Sequence, residues 1–459
     1  MKEKTNFLCV VLILVLFFGC KHDTSKCPEC PECPKVDTEA TINSTTNKFI
    51  ALSDVHVDGD LTETTFGSNT VSVTSEKLWL RTKAKIELTA CKESPKFMVY
   101  LGDLPGYDDT ERIDNTHLML ENLRNLEVDF PILYLPGNND SLEGDYHSFS
   151  NNAEETVLTK DEDKTNPWPV INSGSSTIKV TNLDDTQKAF GYYSVDLVDG
   201  ANTLKVIALN TVIFCAKGKY HRYVDDDKVS QQNATQTQMA WLEGKLKGLA
   251  ANDRVLIMMH IPPGIDGYDD GSGNYSKMWN DALTFATKDS KGKTVTYELQ
   301  DGFIQLLADH KSNIVGMLNG HTHLDGLRRV YNSTPKQKPE FVTYSITTPG
   351  IAVNHNNNPG FKMFTYDSAT FDLLDFKTYY ASPTNTVKDG EFQYAKGASY
   401  TFRDAYNVKD ATKTIRSVIE NMSTDDLVKN MGKTIGVKSN KDVNNNMNLD
   451  TALTVYKQK

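Results

Sequence analysis

The sequence predicts an α/β protein whose functional groups sit at the carboxyl ends of parallel strands. Three observations predict it. First, five short runs are apolar, β-branched or aromatic: Phe49-Ile50-Ala51-Leu52, Phe97-Met98-Val99-Tyr100, Ile132-Leu133-Tyr134-Leu135, Val255-Leu256-Ile257-Met258 and Ile314-Val315-Gly316-Met317-Leu318. Such runs suit strands buried on both faces. Second, each is followed at once by a polar motif: Asp54-Val55-His56, Gly102-Asp103, Gly137-Asn138-Asn139-Asp140, His260 and Gly320-His321-Thr322-His323. Open α/β folds place their sites at such strand ends. Third, helical periodicity lies between the runs. His117 to Leu126 carries Leu at helical spacing, and Met239, Leu242, Leu246 and Leu249 form a stripe just before the fourth run.

The motifs gather four His, two Asp and one Asn. That donor set suits two divalent ions. A bimetallic centre needs a carboxylate that bridges both ions, and neutral imidazoles that leave their charge intact. Asp103 is the natural bridge. Asp54, His56 and His323 complete one site; Asn138, His260 and His321 complete the other. Gly102, Gly137 and Gly320 let the backbone turn tightly beside the donors. Any one of these motifs alone reads more simply as a turn or a packed histidine. Five in this order, each after a strand, do not.

The order of the motifs resembles the calcineurin-like metallophosphoesterases, and more narrowly the acid sphingomyelinase and acid sphingomyelinase-like phosphodiesterase branch. The residues that carry the resemblance are Ser53-Asp54-Val55-His56-Val57-Asp58, Gly102-Asp103-Leu104-Pro105, His260-Ile261-Pro262-Pro263-Gly264 and Gly320-His321-Thr322-His323-Leu324-Asp325. Asn358-Pro359-Gly360-Phe361 and Phe402-Arg403-Asp404-Ala405-Tyr406 extend it to about residue 430. It implies a four-layer α/β/β/α sandwich, two divalent ions (zinc in this branch, with manganese or iron as alternatives) and attack on phosphorus by a metal-bridging hydroxide. Two positions depart from the pattern. Asn139 stands where the family has a His that serves the leaving group, and Tyr107 stands where this branch has a second His. Asn139, Tyr107 and Asp140 are therefore the catalytic candidates, with Asp108, His147 and His355 as further sources of a proton. His56 and His321 need acceptors that fix their tautomers, and Asp58 and Asp325 are placed nearby, though each reads equally as a solvated loop acid.

Three functions fit. The first is a phosphodiesterase acting on a lipid head group or a nucleotide. The second is a phosphomonoesterase or nucleotide phosphohydrolase with the same ligands. The third is a degenerate protein that binds metal and phosphate without turnover, for want of the two imidazoles.

The 459 residues carry a net charge of −11, which argues against binding a nucleic-acid polymer. Residues 1–19 read as a signal peptide of lipoprotein type. Lys2 and Lys4 precede an apolar stretch from Phe7 to Gly19 that is shorter than the ~20 residues of a membrane span. Leu16-Phe17-Phe18-Gly19-Cys20 resembles a lipobox, which makes Cys20 the lipid anchor and the location extracytoplasmic, either membrane-bound or secreted. Residues 20–46, with Cys27, Cys30 and Cys33 each followed by Pro, read as a tether. Residues 47–400 form the catalytic domain, and residues 401–459 a C-terminal helical region and tail. Ile415, Val418, Ile419 and Met422 make a helical stripe, and residues 433–459 are expected to pack loosely. Ser141–Thr203 reads as a polar insertion at the substrate rim, Gly264–Asn280 as a mobile loop, and Phe341–Ile346, Phe361–Tyr366 and Leu373–Tyr379 as the antiparallel end of one mixed sheet. Cys91 and Cys215 are the cysteines of the catalytic domain, and the sequence leaves their pairing open.

Overall fold

Alternation along the central strands builds the layers. In the strand Thr46–Leu52, Phe49 and Ala51 face one way and Ile50 and Leu52 the other, as the two-residue period of a strand requires. The computed structural model describes residues 46–64, 73–150, 155–156, 168–172, 178–217, 230–269, 275–289, 291–383, 391–441, 443 and 447–458. The expected signal peptide, Cys20 and the Cys27–Cys33 repeat lie outside the described residues.

One sheet has seven strands, in the order Ser399–Thr401, Leu373–Tyr380, Gly360–Asp367, Thr46–Leu52, Met98–Tyr100, Ile132–Tyr134, Val170–Asn172. The other has eight, in the order Thr454–Tyr456, Leu327–Tyr331, Phe341–Thr347, Ile314–Asn319, Arg254–Met259, Asn202–Leu209, Tyr193–Asp199, Lys179–Asp184. All five predicted runs form strands, and they are parallel to their neighbours within each sheet's centre. Phe49, Ala51, Val99, Leu133, Val206, Leu256 and Leu318 pack between the sheets. The alternate residues face helices. Ile50, Leu52, Met98 and Tyr134 meet Leu78, Trp79 and Ile86 of Glu76–Glu93 and Met119, Leu120 and Leu123 of Arg112–Arg124. Ile207, Ile257 and Met317 meet Met239, Leu242 and Leu246 of Gln231–Lys247 and Phe303 and Leu307 of Leu299–Asp309. The result is the four-layer α/β/β/α sandwich.

Several expectations change. The three late strands do not end one sheet. Phe341–Thr347 lies parallel to Ile314–Asn319 in the second sheet, whereas Gly360–Asp367 and Leu373–Tyr380 join the first. The Ser141–Thr203 insertion is largely framework, since it supplies edge strands to both sheets, Val170–Asn172 and the hairpin Lys179–Asp184 with Tyr193–Asp199. Within Gly264–Asn280, Ile265–Asp269 pairs with Tyr275–Lys277, and Met278 N–H donates to Gly264 O at 2.9 Å. The tail is not loose at its end: Thr454–Tyr456 extends the second sheet beside Leu327–Tyr331, with Val455 buried. Ile415, Ile419, Leu427, Met431 and Leu453 share the inter-sheet core with Phe49 and Leu256, so the C-terminal helices close the sandwich. No disulfide joins Cys91 to Cys215.

Candidate metal centre

Five strand ends from the two sheets meet at one edge, and the loops that leave them are strained. Asp54, His56, Asp103, His321 and His323 all have left-handed backbones, with φ of 50°, 47°, 63°, 74° and 58°. A residue with a Cβ pays on the order of 1 kcal/mol for that conformation. Five such residues at one spot mark a place where side-chain direction outweighs backbone comfort. Two glycines make the approach possible. A Cβ on Gly320 would lie 1.9 Å from Ser53 Oγ and 2.6 Å from Asp54 Oδ2, and one on Gly102 (φ 98°) would strike the backbone of Gly137 at 2.5 Å. The sheets are tied across the gap by His321 N–H, which donates to Asp54 Oδ1 at 3.0 Å.

All seven expected donors converge here. Asp103 Oδ2 lies 3.3 Å from His56 Nε2 and 3.2 Å from His260 Nε2, between the two groups of ligands. Asp54 Oδ1 is 3.5 Å from His323 Nε2 and 4.0 Å from His56 Nε2. Asn138 Oδ1 is 3.0 Å from His260 Nε2 and 2.9 Å from His321 Nδ1. Asp54, His56 and His323 form one compact triad, and Asp54, Asp103 and His260 a second. Backbone carbonyls hold the rings. His56 Nδ1 faces Pro105 O at 3.1 Å and His260 Nδ1 faces Leu101 O at 2.6 Å. A carbonyl only accepts, so Nδ1 carries a proton and Nε2 is the ring atom turned inward.

The electrostatics ask for cations. Burial, together with the neighbouring Asp103 carboxylate, pushes Asp54 up to about 6, although His260 and His56 pull the other way. Burial opposes charge on His260, but the Asp103 and Asp54 carboxylates overrule it and carry the imidazole up to about 10. His321 and His323 are held well below the usual range, first by burial. Two buried carboxylates thus compete for the protons of their neighbours, a demand that divalent ions meet better. The donor chemistry fits such ions: carboxylate, amide oxygen and imidazole nitrogen.

The remaining candidates separate. A cavity of about 220 Å³ opens over the donors, and Tyr107, Asn139, His321, His323 and His355 are among its lining residues. Asn139 is clamped to the bridge: its N–H donates to Asp103 Oδ1 at 2.7 Å and its Nδ2 to Asp103 Oδ2 at 3.0 Å. The Tyr107 ring stacks on His56 with centroids 4.5 Å apart, and its hydroxyl accepts from Asn354 Nδ2 at 2.9 Å. Burial first, then Asp103 and Asp54, keep that phenol protonated well past its usual range. Asp140 is a brace. Its oxygens accept N–H groups of Asp103 (2.7 Å), Leu104 (2.8 Å) and Gly137 (2.6 Å), locking two ligand loops together, and it does not line the cavity. Asp108 is exposed and caps Thr110, and His147 lies outside the cavity lining. Burial lowers His355 to about 4, so its ring is neutral at pH 7.

Asp58 and Asp325 are not the partners of His56 and His321. Asp58 accepts N–H groups of Asp60 and Leu61. Asp325 sits in a buried cluster with Lys362 Nζ (2.7 Å), Thr378 Oγ1 (3.0 Å) and the Tyr400 hydroxyl (2.6 Å), anchoring the end of the His321–His323 loop to the first sheet. Sequence reasoning also missed Arg112, a buried guanidinium that donates to Asn139 O at 2.6 Å, and Asp145, which accepts from Asn138 Nδ2 at 2.6 Å and so turns that amide's oxygen toward the histidines. Asp145 lies just past the third motif, the one signal that pointed to it.

The calcineurin-like phosphoesterase family matches residues 47–325, more than half of the chain and all seven donors. The chain belongs to that family. Its relatives include Sphingomyelinase phosphodiesterase D of Dictyostelium discoideum, 24% identical over 330 residues (70% of this chain, 64% of the relative). Human acid sphingomyelinase-like phosphodiesterase 3b is 25% identical over 246 residues (52% and 47%), and a human cyclic GMP-AMP phosphodiesterase 26% over 233 residues (49% and 44%). The matches thus span from under half to just under two thirds of these relatives. Among solved structures, a dimetal phosphatase of Danio rerio aligns over 77% of this chain and 98% of its own at 14% identity, with a TM-score of 0.40.

Proposed function

We propose that this protein is a dinuclear-metal phosphodiesterase, secreted or held on a membrane by lipid on Cys20. The observation that carries the reading is the convergence of all seven donors beneath an open cavity. The names of the relatives, all phosphodiesterases, favour diesters over monoesters. Two divalent ions, zinc by the family resemblance with manganese or iron as alternatives, would activate water and polarise the phosphoryl oxygens. A new P–O bond then forms from water as the ester P–O bond breaks, and the leaving oxygen takes a proton. The chain's own residues set the stage. Asn139 fixes both oxygens of Asp103, Asp140 locks the Asp103 and Gly137 loops, and Asp145 orients Asn138. Tyr107, whose oxygen already accepts from Asn354, lines the cavity as a neutral phenol with one proton to donate.

A phenol above its usual pKa range is a poor acid at pH 7, so leaving groups that need a proton should react slowly. This also keeps alive the reading of a protein that binds metal and phosphate without turnover. A rate comparison on the metal-loaded chain decides among the readings: an aryl diester, an aryl monoester and an unactivated lipid or nucleotide diester. We expect the aryl diester to be cleaved fastest. Preference for the monoester would make the protein a phosphatase, and no turnover of any ester would make it a binding protein. Among the described residues, no helix is long and apolar enough to cross a membrane. On the proposed lipid anchor, Cys20→Ser should release the protein from membrane fractions. A wild-type protein already soluble after fractionation would contradict the anchor.

A further inference from the structure

Lys217 is the only Lys or Arg among the described residues that line the cavity. It is exposed at the rim, and its Nζ lies 4.3 Å from the centre of the Tyr146 ring. The Tyr146 hydroxyl is in turn 3.5 Å from His321 Nε2, so the ammonium stands one aromatic ring away from the donor cluster. The segment that carries it is pinned. Ala216 N–H donates to Met278 O at 3.1 Å, and Gln231 Nε2 donates to Cys215 O at 3.1 Å. The same wall holds two carboxylates, Asp145 and Asp266. A phosphate ester entering the cavity would meet that negative charge before reaching the donors. It also finds no histidine at the positions of Asn139 and Tyr107.

We infer that Lys217 is a substrate-binding residue: its ammonium takes a phosphoryl oxygen of the incoming ester, supplying the positive charge that Asn139 and Tyr107 do not. The inference rests on the phosphate-ester reading of this cavity and extends it to the residue that receives the anion. A Lys on four methylenes acts as a mobile point charge, and a hydrogen bond between charged partners is the strong kind.

The test uses the full, metal-loaded chain and inorganic phosphate, titrated by calorimetry, with metal content measured alongside. Lys217→Gln should weaken phosphate binding about tenfold or more, the scale of a lost charge-assisted bond, while leaving bound metal unchanged. Lys217→Arg should recover most of the affinity. Equal phosphate affinity in wild type and Lys217→Gln would overturn the assignment, as would a Lys217→Arg variant as weak as Lys217→Gln. Turnover is measured separately. Phosphate binding that depends on Lys217 in a chain that cleaves no ester would sink the phosphodiesterase reading and leave this one standing.

Discussion

Tyr107 and Asn139 stand where the sequence resemblance leads one to expect histidines, and the structure gives them different work. Asn139 is buried and spends its N–H groups on Asp103, so it serves the bridge. Tyr107 faces the cavity and keeps its proton. An imidazolium in its place could deliver a proton to a leaving alkoxide, a contribution typically worth ~10²–10⁴-fold. Tyr107→His should therefore raise the rate on an unactivated diester at least tenfold and change an aryl diester little, because a phenolate leaves unaided. Parallel rate measurements check this. Equal gains on both substrates would show that the substitution acts on binding or metal position instead. The seven donors were legible residue by residue, because each follows its strand directly and each type has a plain coordination role. Arg112 and Asp140 act through partners far away in the chain, Asn139 for the first and Asp103 and Leu104 for the second, whereas Asp145 acts on nearby Asn138. Asp140 belongs to the third motif, yet two of the three N–H groups it accepts, those of Asp103 and Leu104, lie in the loop of the second, which spacing alone did not show.

At the scale of elements, the strand–loop junctions matter most. Gly320 sits where the second sheet passes within contact of Ser53 and Asp54 of the first. Gly320→Ala must push the two loops apart. We expect the variant to lose at least one bound ion and to melt several degrees lower. Gly244→Ala is the control, since a Cβ there meets nothing within 4 Å in the helix Gln231–Lys247, and it should be neutral or slightly stabilising. Equal metal content in Gly320→Ala and wild type would show that close approach is not what builds the centre. The central strands were visible because they are apolar on both faces. Their allotment to two sheets was not, because periodicity tells which faces are buried but not which strand is the neighbour. The edge strand Lys179–Asp184 and its inner neighbour Tyr193–Asp199 hid within a polar segment, because the first has no buried residue and the second is buried only at alternate positions. The closing strand Thr454–Tyr456 was too short for periodicity to show.

The whole molecule holds its site at a cost that metal relieves. In the metal-free protein, Asp54 titrates near 6 rather than at the ordinary 3.8 of an unfolded aspartate. The folded state therefore binds the proton more tightly, and the stability so gained is complete below about pH 4 and lost as pH rises through 6. His260, raised from 6.5 to about 10, acts in the same sense, with its contribution lost between those values. Metal-stripped protein should accordingly melt at progressively lower temperature from pH 6.5 toward pH 10, and added zinc should flatten the trend, because ions take over from protons. Melting curves across that range with and without metal check it; a stripped protein that gains stability on the way to pH 10 would contradict the electrostatic account.

The central claim is that seven side chains from two sheets hold two divalent ions. Elemental analysis of the fully loaded chain, beside Asp103→Asn, tests it most directly. Asp103 Oδ2 lies 3.3 Å from His56 and 3.2 Å from His260, closer to both than Asp54 Oδ1 at 4.0 and 3.9 Å, so its carboxylate is the one best placed to serve both sites. The account predicts two ions per chain in the wild type and a marked loss from both sites in Asp103→Asn. One ion or none in the loaded wild type, or an Asp103→Asn variant that retains two, would contradict it.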